Sequence, residues 1–257
     1  ILNKLKSGYH NITSLITFCD LHDVISVSKS KNFKDKIIFS GRFKKGINRK
    51  KNTITKVLAL LRKKHFLKRK FFKISIEKNI PHGSGLGGGS SNAANLLNYL
   101  NTKMKLKLSK KSKQNLAAQV GFDVPINLEK KNTFLTGKKG KILRINKRFN
   151  LNLLVVYPNL ICSTKKIYSR NRQFSPLKYK SFSYIKNSKQ FIDFLKNEKN
   201  DLEKIVIKIY PKVKKIIDNI KSKKGCYFAR VTGSGSACIG IFSNMRYAIY
   251  AQKLIKL

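Results

Sequence analysis

The chain has 257 residues, 41% of them hydrophobic, and carries 57 Lys and Arg against 11 Asp and Glu, a formal net charge of +46. That length suits one or two domains with a real core, and the apolar content excludes a disordered chain. No run of about 18 uncharged apolar residues occurs and the first residues lack an apolar signal core, so neither a transmembrane helix nor a membrane partner is expected.

Near the start, Gly8, Tyr9 and His10 place an aromatic face beside a hydrogen-bonding ring, suited to a planar ligand or to packing at a strand entrance. Residues 21–29 alternate apolar and polar and predict a strand, and residues 36–40 another. The basic stretch 41–51 reads as a loop, and 52–64 as an amphipathic helix capped by Asn52. Residues 71–80 alternate again, leading into a glycine-rich stretch at 81–91. From Asn92 the apolar residues fall at helical spacing. A further helix spans 108–120, capped by Ser109 and ended by Gly121. Asp123 then stands between Phe122 and Val124, with Pro125 stiffening the backbone. In a chain so poor in acids it is either a turn cap or a general base.

Short strands are expected at 133–137 and 141–145 around a Lys-Gly turn. The near-continuous apolar run 151–158 reads as a central strand. Residues 171–200 read as a polar loop with a helical patch at 189–196, and 201–223 as two helices broken at Pro211. A second glycine turn, Thr232, Gly233, Ser234, Gly235 and Ser236, runs into a strand, and 248–257 reads as a terminal helix. The mixture is α+β. The four cysteines, Cys19, Cys162, Cys226 and Cys238, are scattered and form no C-x-x-C pair. They read as reduced thiols in a cytoplasmic protein, with no metal site. Lysine is spread along the whole chain, arginine is scarcer and tryptophan absent, a signature of AT-rich codon usage rather than of a nucleic-acid face. No specific nucleic-acid partner is expected, although such a field attracts phosphorylated small molecules.

The stretch at 81–91 consists of Pro81, His82, Gly83, Ser84, Gly85, Leu86, Gly87, Gly88, Gly89, Ser90 and Ser91. A strand, a glycine loop and a helix start bearing two hydroxyls form an arrangement for holding a phosphate on main-chain N–H groups. No G-x-x-x-x-G-K-[ST] string occurs. Gly83, Gly85 and Gly88 satisfy G-x-G-x-x-G, but the acid that a dinucleotide fold wants about 20 residues later is missing from the lysine-rich stretch there. A flexible hinge is the remaining plain alternative.

Pro81-x-Gly83-x-Gly85-Leu86-Gly87-x-x-Ser90-Ser91 resembles the second motif of the GHMP small-molecule kinases, with one extra residue before the serines. Thr232 to Ser236 resembles the third motif, residues 8–18 resemble a D-G-Y-H-x-L-x-[ST]-L motif with Ser7 for Asp, and residues 121–125 resemble G-A-D-V-P with Phe122 for Ala. The resemblance implies a two-domain α+β fold. A ribosomal-protein-S5-domain-2-like half would span 1–147 and a ferredoxin-like half 148–257. The family strand P-A-K-[IL]-N-L, which carries a catalytic lysine, would fall before Ile1, so the first half is expected to be truncated; Lys4 and Lys6 stand at the wrong distance to replace it.

The function implied is transfer of the ATP γ-phosphate to the 2-hydroxyl of 4-diphosphocytidyl-2-C-methyl-D-erythritol, in non-mevalonate isoprenoid precursor synthesis. Residues 81–91 would hold ATP, Mg²⁺ would bridge its phosphates with help from Ser90 or Ser91, and Asp123 would be the catalytic base. Tyr9, His10, Thr164 and Tyr168 would bind the cytidyl diphosphate sugar alcohol, in a monomer or weak dimer. Asn52 and Lys78 match nucleotide neighbours of the family, but read more simply as a helix cap and a surface lysine. A kinase of homoserine, mevalonate or a sugar, and a basic RNA-binding module on an S5-like fold, remain the alternatives.

Overall fold

The structure, a computed structural model, describes residues 1–6, 8, 10–136, 140–176 and 185–255. The chain starts with short strands β1 (Asn3–Lys4), β2 (His10–Asn11) and β3 (Ser14–Ile16), then β4 (Val24–Lys29), β5 (Lys36–Ser40), helix α1 (Thr53–Lys63) and β6 (Phe72–Glu77). Helices α2 (Gly88–Lys103) and α3 (Lys110–Val120) follow, then a 3-10 turn (Pro125–Leu128), β7 (Thr133–Thr136), β8 (Lys141–Arg144) and β9 (Asn152–Val156). The remainder is largely helical: α4 (Thr164–Ser169), α5 (Ser188–Lys196), α6 (Glu203–Ile209), α7 (Pro211–Lys221), β10 (Cys226–Val231), β11 (Cys238–Phe242) and α8 (Met245–Leu254).

Two compact units result, one of residues 18–82 and 87–130, the other of 1–17, 83–86 and 131–257. In the first, β6 lies between β4, antiparallel to it, and β5, parallel to it. The alternation read from the sequence is realised in β6: Phe72, Ile74 and Ile76 are buried while Lys73 and Glu77 are exposed. They meet Val57, Leu58 and Leu61 of α1, Leu97 and Leu100 of α2, and Leu116 and Ala117 of α3 in one core. Asp35 locks the start of β5: its carboxylate accepts a bidentate pair from Arg62 at 2.6 and 2.8 Å and the Phe72 N–H at 2.9 Å.

Asn52 caps α1 as expected. Its side chain accepts the Ile54 and Thr55 N–H groups at 2.9 and 3.0 Å, and the Thr55 hydroxyl reciprocates on the Asn52 backbone, a capping box. Asn52→Ala is expected to cost about 1 kcal/mol, read as a lowered urea midpoint with an unchanged slope. Ser109 caps α3 and Pro211 separates α6 from α7, both as read from the sequence.

The second unit pairs β10, β11 and β9 in that order, and β3, β7 and β8 in another sheet. β9 was expected at the centre of a sheet, yet β11 holds that place and β9 is an edge. Its apolar run is explained by cover from α8, which packs along it, rather than by neighbours on both sides. Leu154, Val156, Val231 and Phe242 face Val213, Ile217 and Ile220 of α7 and Ala248 and Ala251 of α8. Glu203 turns inward, accepting the Val231 N–H at 2.7 Å. The short helix α4, capped by Ser163, was not foreseen, and α8 starts three residues before its expected position, capped by Asn244. The expected Lys-Gly turn falls mostly on 137–139, outside the described residues.

Candidate active site

The glycine stretch divides between the units. In the first unit the chain leaves β6, passes the buried Pro81, and resumes at Gly87 as the entry to α2. The sequence placed the two serine hydroxyls at the helix start, but α2 begins at Gly88, so Gly88 and Gly89 join Ser90 and Ser91 in its first turn rather than forming a loop. Gly87 precedes it in the left-handed conformation, at φ 72°, which a residue without Cβ adopts readily. No side chain caps this helix and no acid lies in its first turn. The leading N–H groups and the positive end of the helix dipole are therefore offered to an external anion. The start of α1 is tied to the same place, because the Thr53 hydroxyl donates to the Gly89 carbonyl at 2.8 Å.

Beneath this turn lies a charge cluster that the sequence did not reveal. The Lys78 side chain is 4% exposed and that of Asp23 0%, and the two are ion-paired. The Asp23 carboxylate also accepts the Asn79 and Ile80 N–H groups and the Asn92 amide, each at 2.8 Å. Lys78 is thus an interior residue bound to an acid, not the surface lysine expected.

Asp123 sits in the turn between α3 and the 3-10 segment, which packs against α2 and α3. Val124 beside it is fully buried in the core, and the Asp123 carbonyl accepts the Asn127 amide at 2.8 Å. The carboxyl itself has no hydrogen bond or ion pair among the described residues. By surface area Asp123 stays open to solvent. Crowding around it nonetheless desolvates the carboxyl and raises it above the ordinary aspartate value of 3.8. The two observations describe a group accessible from one side and hemmed in on the others.

In the second unit, Gly83, Ser84, Gly85 and Leu86 lie against the second glycine loop. The Ala237 N–H donates to the Ser84 carbonyl at 2.9 Å, and the Cys162 N–H to the Gly83 carbonyl at 2.8 Å. Gly85 has φ 80°, and a Cβ there would stand 2.3 Å from the Thr232 carbonyl oxygen and 2.9 Å from the Gly235 nitrogen. The second loop is held in turn by Asn200, whose amide donates to the Val231 and Gly233 carbonyls at 2.9 and 2.8 Å. Thr164, at the start of α4, shares a 2.9 Å hydrogen bond with the Ser234 hydroxyl. Residues 83–86, the second glycine loop and Thr164 therefore form one assembly within this unit.

Four residues further along α4, the Tyr168 ring lies 5.2 Å from the His10 ring. Phe174, which the sequence did not single out, lies 6.4 Å from His10 on a near-parallel plane. Burial first, then the charges of Lys4 and the chain's amino group, lower the His10 pKa, so the ring is neutral near pH 7. Its Nε2 is buried with no hydrogen-bond partner among the described residues. Tyr9 lies outside the described residues. The acid-scarcity argument that drew attention to Asp123 applies equally to Asp23, at the head of its strand. Nothing in the polar stretch around Phe174 distinguished that residue. Among the described residues no group of three or more His, Cys, Asp and Glu could hold a metal, and no helix is long and apolar enough to cross a membrane.

A family model described as "GHMP kinases N terminal domain" matches residues 52–129, and one described as "GHMP kinases C terminal" matches 184–252. The chain is 38% identical over 246 residues to a 4-diphosphocytidyl-2-C-methyl-D-erythritol kinase of Pelagibacter ubique (strain HTCC1062), covering 94% of this chain and 84% of that one. A protein of the same name from Caldanaerobacter subterraneus subsp. tengcongensis is 33% identical, covering 100% of this chain and 88% of its own. In fold the chain is similar to a solved 4-(cytidine 5'-diphospho)-2C-methyl-D-erythritol kinase, with a TM-score of 0.71 at 24% identity over 98% of this chain and 89% of that one. It is similar too to a homoserine kinase from Cytophaga hutchinsonii ATCC 33406, with a TM-score of 0.66 at 16% identity over 90% and 79% of the two chains.

Proposed function

The chain belongs to the GHMP kinase family, and from that premise we propose that it transfers the ATP γ-phosphate to the 2-hydroxyl of 4-diphosphocytidyl-2-C-methyl-D-erythritol. The relatives at 38% and 33% identity carry that substrate in their names and are matched over nearly all of this chain. The geometric observation that carries the choice of acceptor is the His10–Tyr168 pair, whose rings lie 5.2 Å apart. One nitrogen of a neutral imidazole can make a single hydrogen bond to the edge of a cytosine, and the Tyr168 ring gives the base a stacking surface. Tyr9 belongs to the same subsite by its position in the motif, and Thr164 orients the acceptor from the start of α4.

Residues 81–91 hold the triphosphate on main-chain N–H groups, with the uncapped start of α2 directed at its charge. Asp123 accepts the proton of the attacking hydroxyl. The new bond joins that oxygen to the γ-phosphorus, the bond to the β-phosphate oxygen breaks, and ADP leaves with the bridging electron pair. A carboxyl raised above 3.8 by desolvation is a stronger base, once ionised, than an ordinary aspartate. The hydroxyls of Ser90 and Ser91, in the uncapped first turn of α2, are hard oxygen donors of the kind Mg²⁺ takes alongside nucleotide phosphates. When bound, Mg²⁺ would neutralise the β- and γ-oxygens. The reading includes a division of the chain near residue 147, a cytoplasmic location and a monomer or weak dimer. The two family-model matches fall on either side of that division.

The test measures ADP release with the cytidyl substrate, homoserine and mevalonate in parallel. Turnover is expected with the first alone. Tyr168→Ala should raise KM for the cytidyl substrate about tenfold, the scale of one lost base–aromatic stack, with KM for ATP unchanged. Comparable turnover with homoserine would overturn the choice of acceptor.

A further inference from the structure

We propose that Asp23 is the positioning residue of the phosphate loop, its one carboxylate fixing both the strand that enters the loop and the helix that leaves it. The inference rests on the reading that residues 81–91 hold ATP. On the entry side, one carboxylate oxygen accepts two consecutive N–H groups, those of Asn79 and Ile80, at 2.8 Å each. On the exit side, the other oxygen accepts the amide of Asn92, a buried residue early in α2, at 2.8 Å. The same oxygen receives the Lys78 ammonium. With four donors on two oxygens, the group leaves little freedom to either flank.

A buried ion pair is weak evidence for stability, since its desolvation offsets much of its attraction. Its placement here points to another role. Three of the four donors belong to the approach to the loop and the fourth to the helix whose first turn faces the ligand. Lys78 is pinned independently, its N–H on the Ser40 carbonyl at 2.9 Å and its carbonyl receiving the Phe43 N–H at 3.1 Å. The ammonium therefore anchors the carboxylate to β5, and the carboxylate carries that anchorage to both sides of the glycine stretch. The ammonium also cancels a negative charge that would otherwise repel an incoming phosphate.

The experiment uses variants of the full chain and titrates ATP and the cytidyl substrate separately by calorimetry. Asn92→Ala cuts only the tie to α2. It is expected to raise the Kd for ATP about tenfold, leave the Kd for the acceptor unchanged and keep kcat within about threefold at saturating ATP. Asp23→Asn alone leaves the Lys78 charge buried and unpaired and is expected to fold poorly. The paired change Asp23→Asn with Lys78→Met keeps an oxygen for the Asn79 and Ile80 N–H groups and an amide for a turned Asn92. It is expected to fold and to bind ATP within about threefold of wild type. If Asn92→Ala lowers the Tm but leaves the Kd for ATP unchanged, the cluster is only structural and the proposal fails. A tenfold loss in the paired variant with wild-type affinity in Asn92→Ala would assign the effect to charge and overturn it equally. Failure of the wild-type chain to bind ATP would instead remove the kinase reading itself.

Discussion

Asp123→Ala is expected to lower kcat about a thousandfold, within the range for loss of a general base, while the Kd for ATP stays within about twofold. The expectation follows from a carboxyl that is accessible, free of protein partners among the described residues, and raised by desolvation. The pH dependence carries the same signature. A base must be ionised, so kcat falls as pH drops through the folded-state value, and the acid limb lies above the ordinary 3.8. Asp123→Asn should remove that limb from whatever activity remains. The stability consequence has the opposite sign. A group whose folded pKa is raised contributes stability below its unfolded value and loses it as pH rises through the folded one. Above the folded-state value the ionised Asp123 therefore contributes nothing favourable, and there Asp123→Ala should unfold at or slightly above the wild-type midpoint. A variant that loses activity together with several kcal/mol of stability would mark Asp123 as structural.

Gly85→Ala is expected to cost about 2–5 kcal/mol, combining a left-handed backbone that a Cβ disfavours by about 1–2 kcal/mol with overpacking worth about 1–3 kcal/mol. The added methyl would sit 2.3 Å from a carbonyl oxygen and 2.9 Å from a backbone nitrogen, neither of which can move as a side-chain tip does. The two glycine loops must separate to admit it, so ATP binding should weaken more than a hundredfold. Gly87→Ala is the internal comparison. Its φ is similar at 72°, but no heavy atom lies within 4 Å of the added carbon. Its stability cost should stay near the backbone term, about 1–2 kcal/mol. Urea unfolding of both variants separates strain from collision. Equal losses would mean that the close approach of the loops contributes nothing.

What could be read from the sequence was what local chemistry determines. Asn52 and Ser109 cap the helices they precede, Pro211 breaks a helical run, and β6 alternates as its pattern requires. Both glycine loops were visible because glycine in such density has few other uses. The helical start at Gly88 was hidden because glycine is a poor helix former. The turn forms where tertiary packing and the tie from Thr53 override that preference. β9 was misread as central because an apolar run reports cover on two faces and says nothing of whether strand or helix supplies it. The Asp23–Lys78 pair joins residues 55 positions apart and exists only once β4 and β6 are aligned. Phe174 meets His10 through the same kind of long-range closure.

The inward use of carboxylates has a consequence for the molecule in solution. Asp23, Asp35 and Glu203 are engaged with interior ammonium, guanidinium and amide groups, which leaves an exterior dominated by lysine among only 11 acids. Such a particle gathers a cloud of small mobile anions, and any polyphosphate arriving at the glycine turn must displace part of that cloud. If the glycine turn holds the nucleotide as proposed, affinity should fall as the surrounding salt is raised, beyond what the geometry of the turn alone would set.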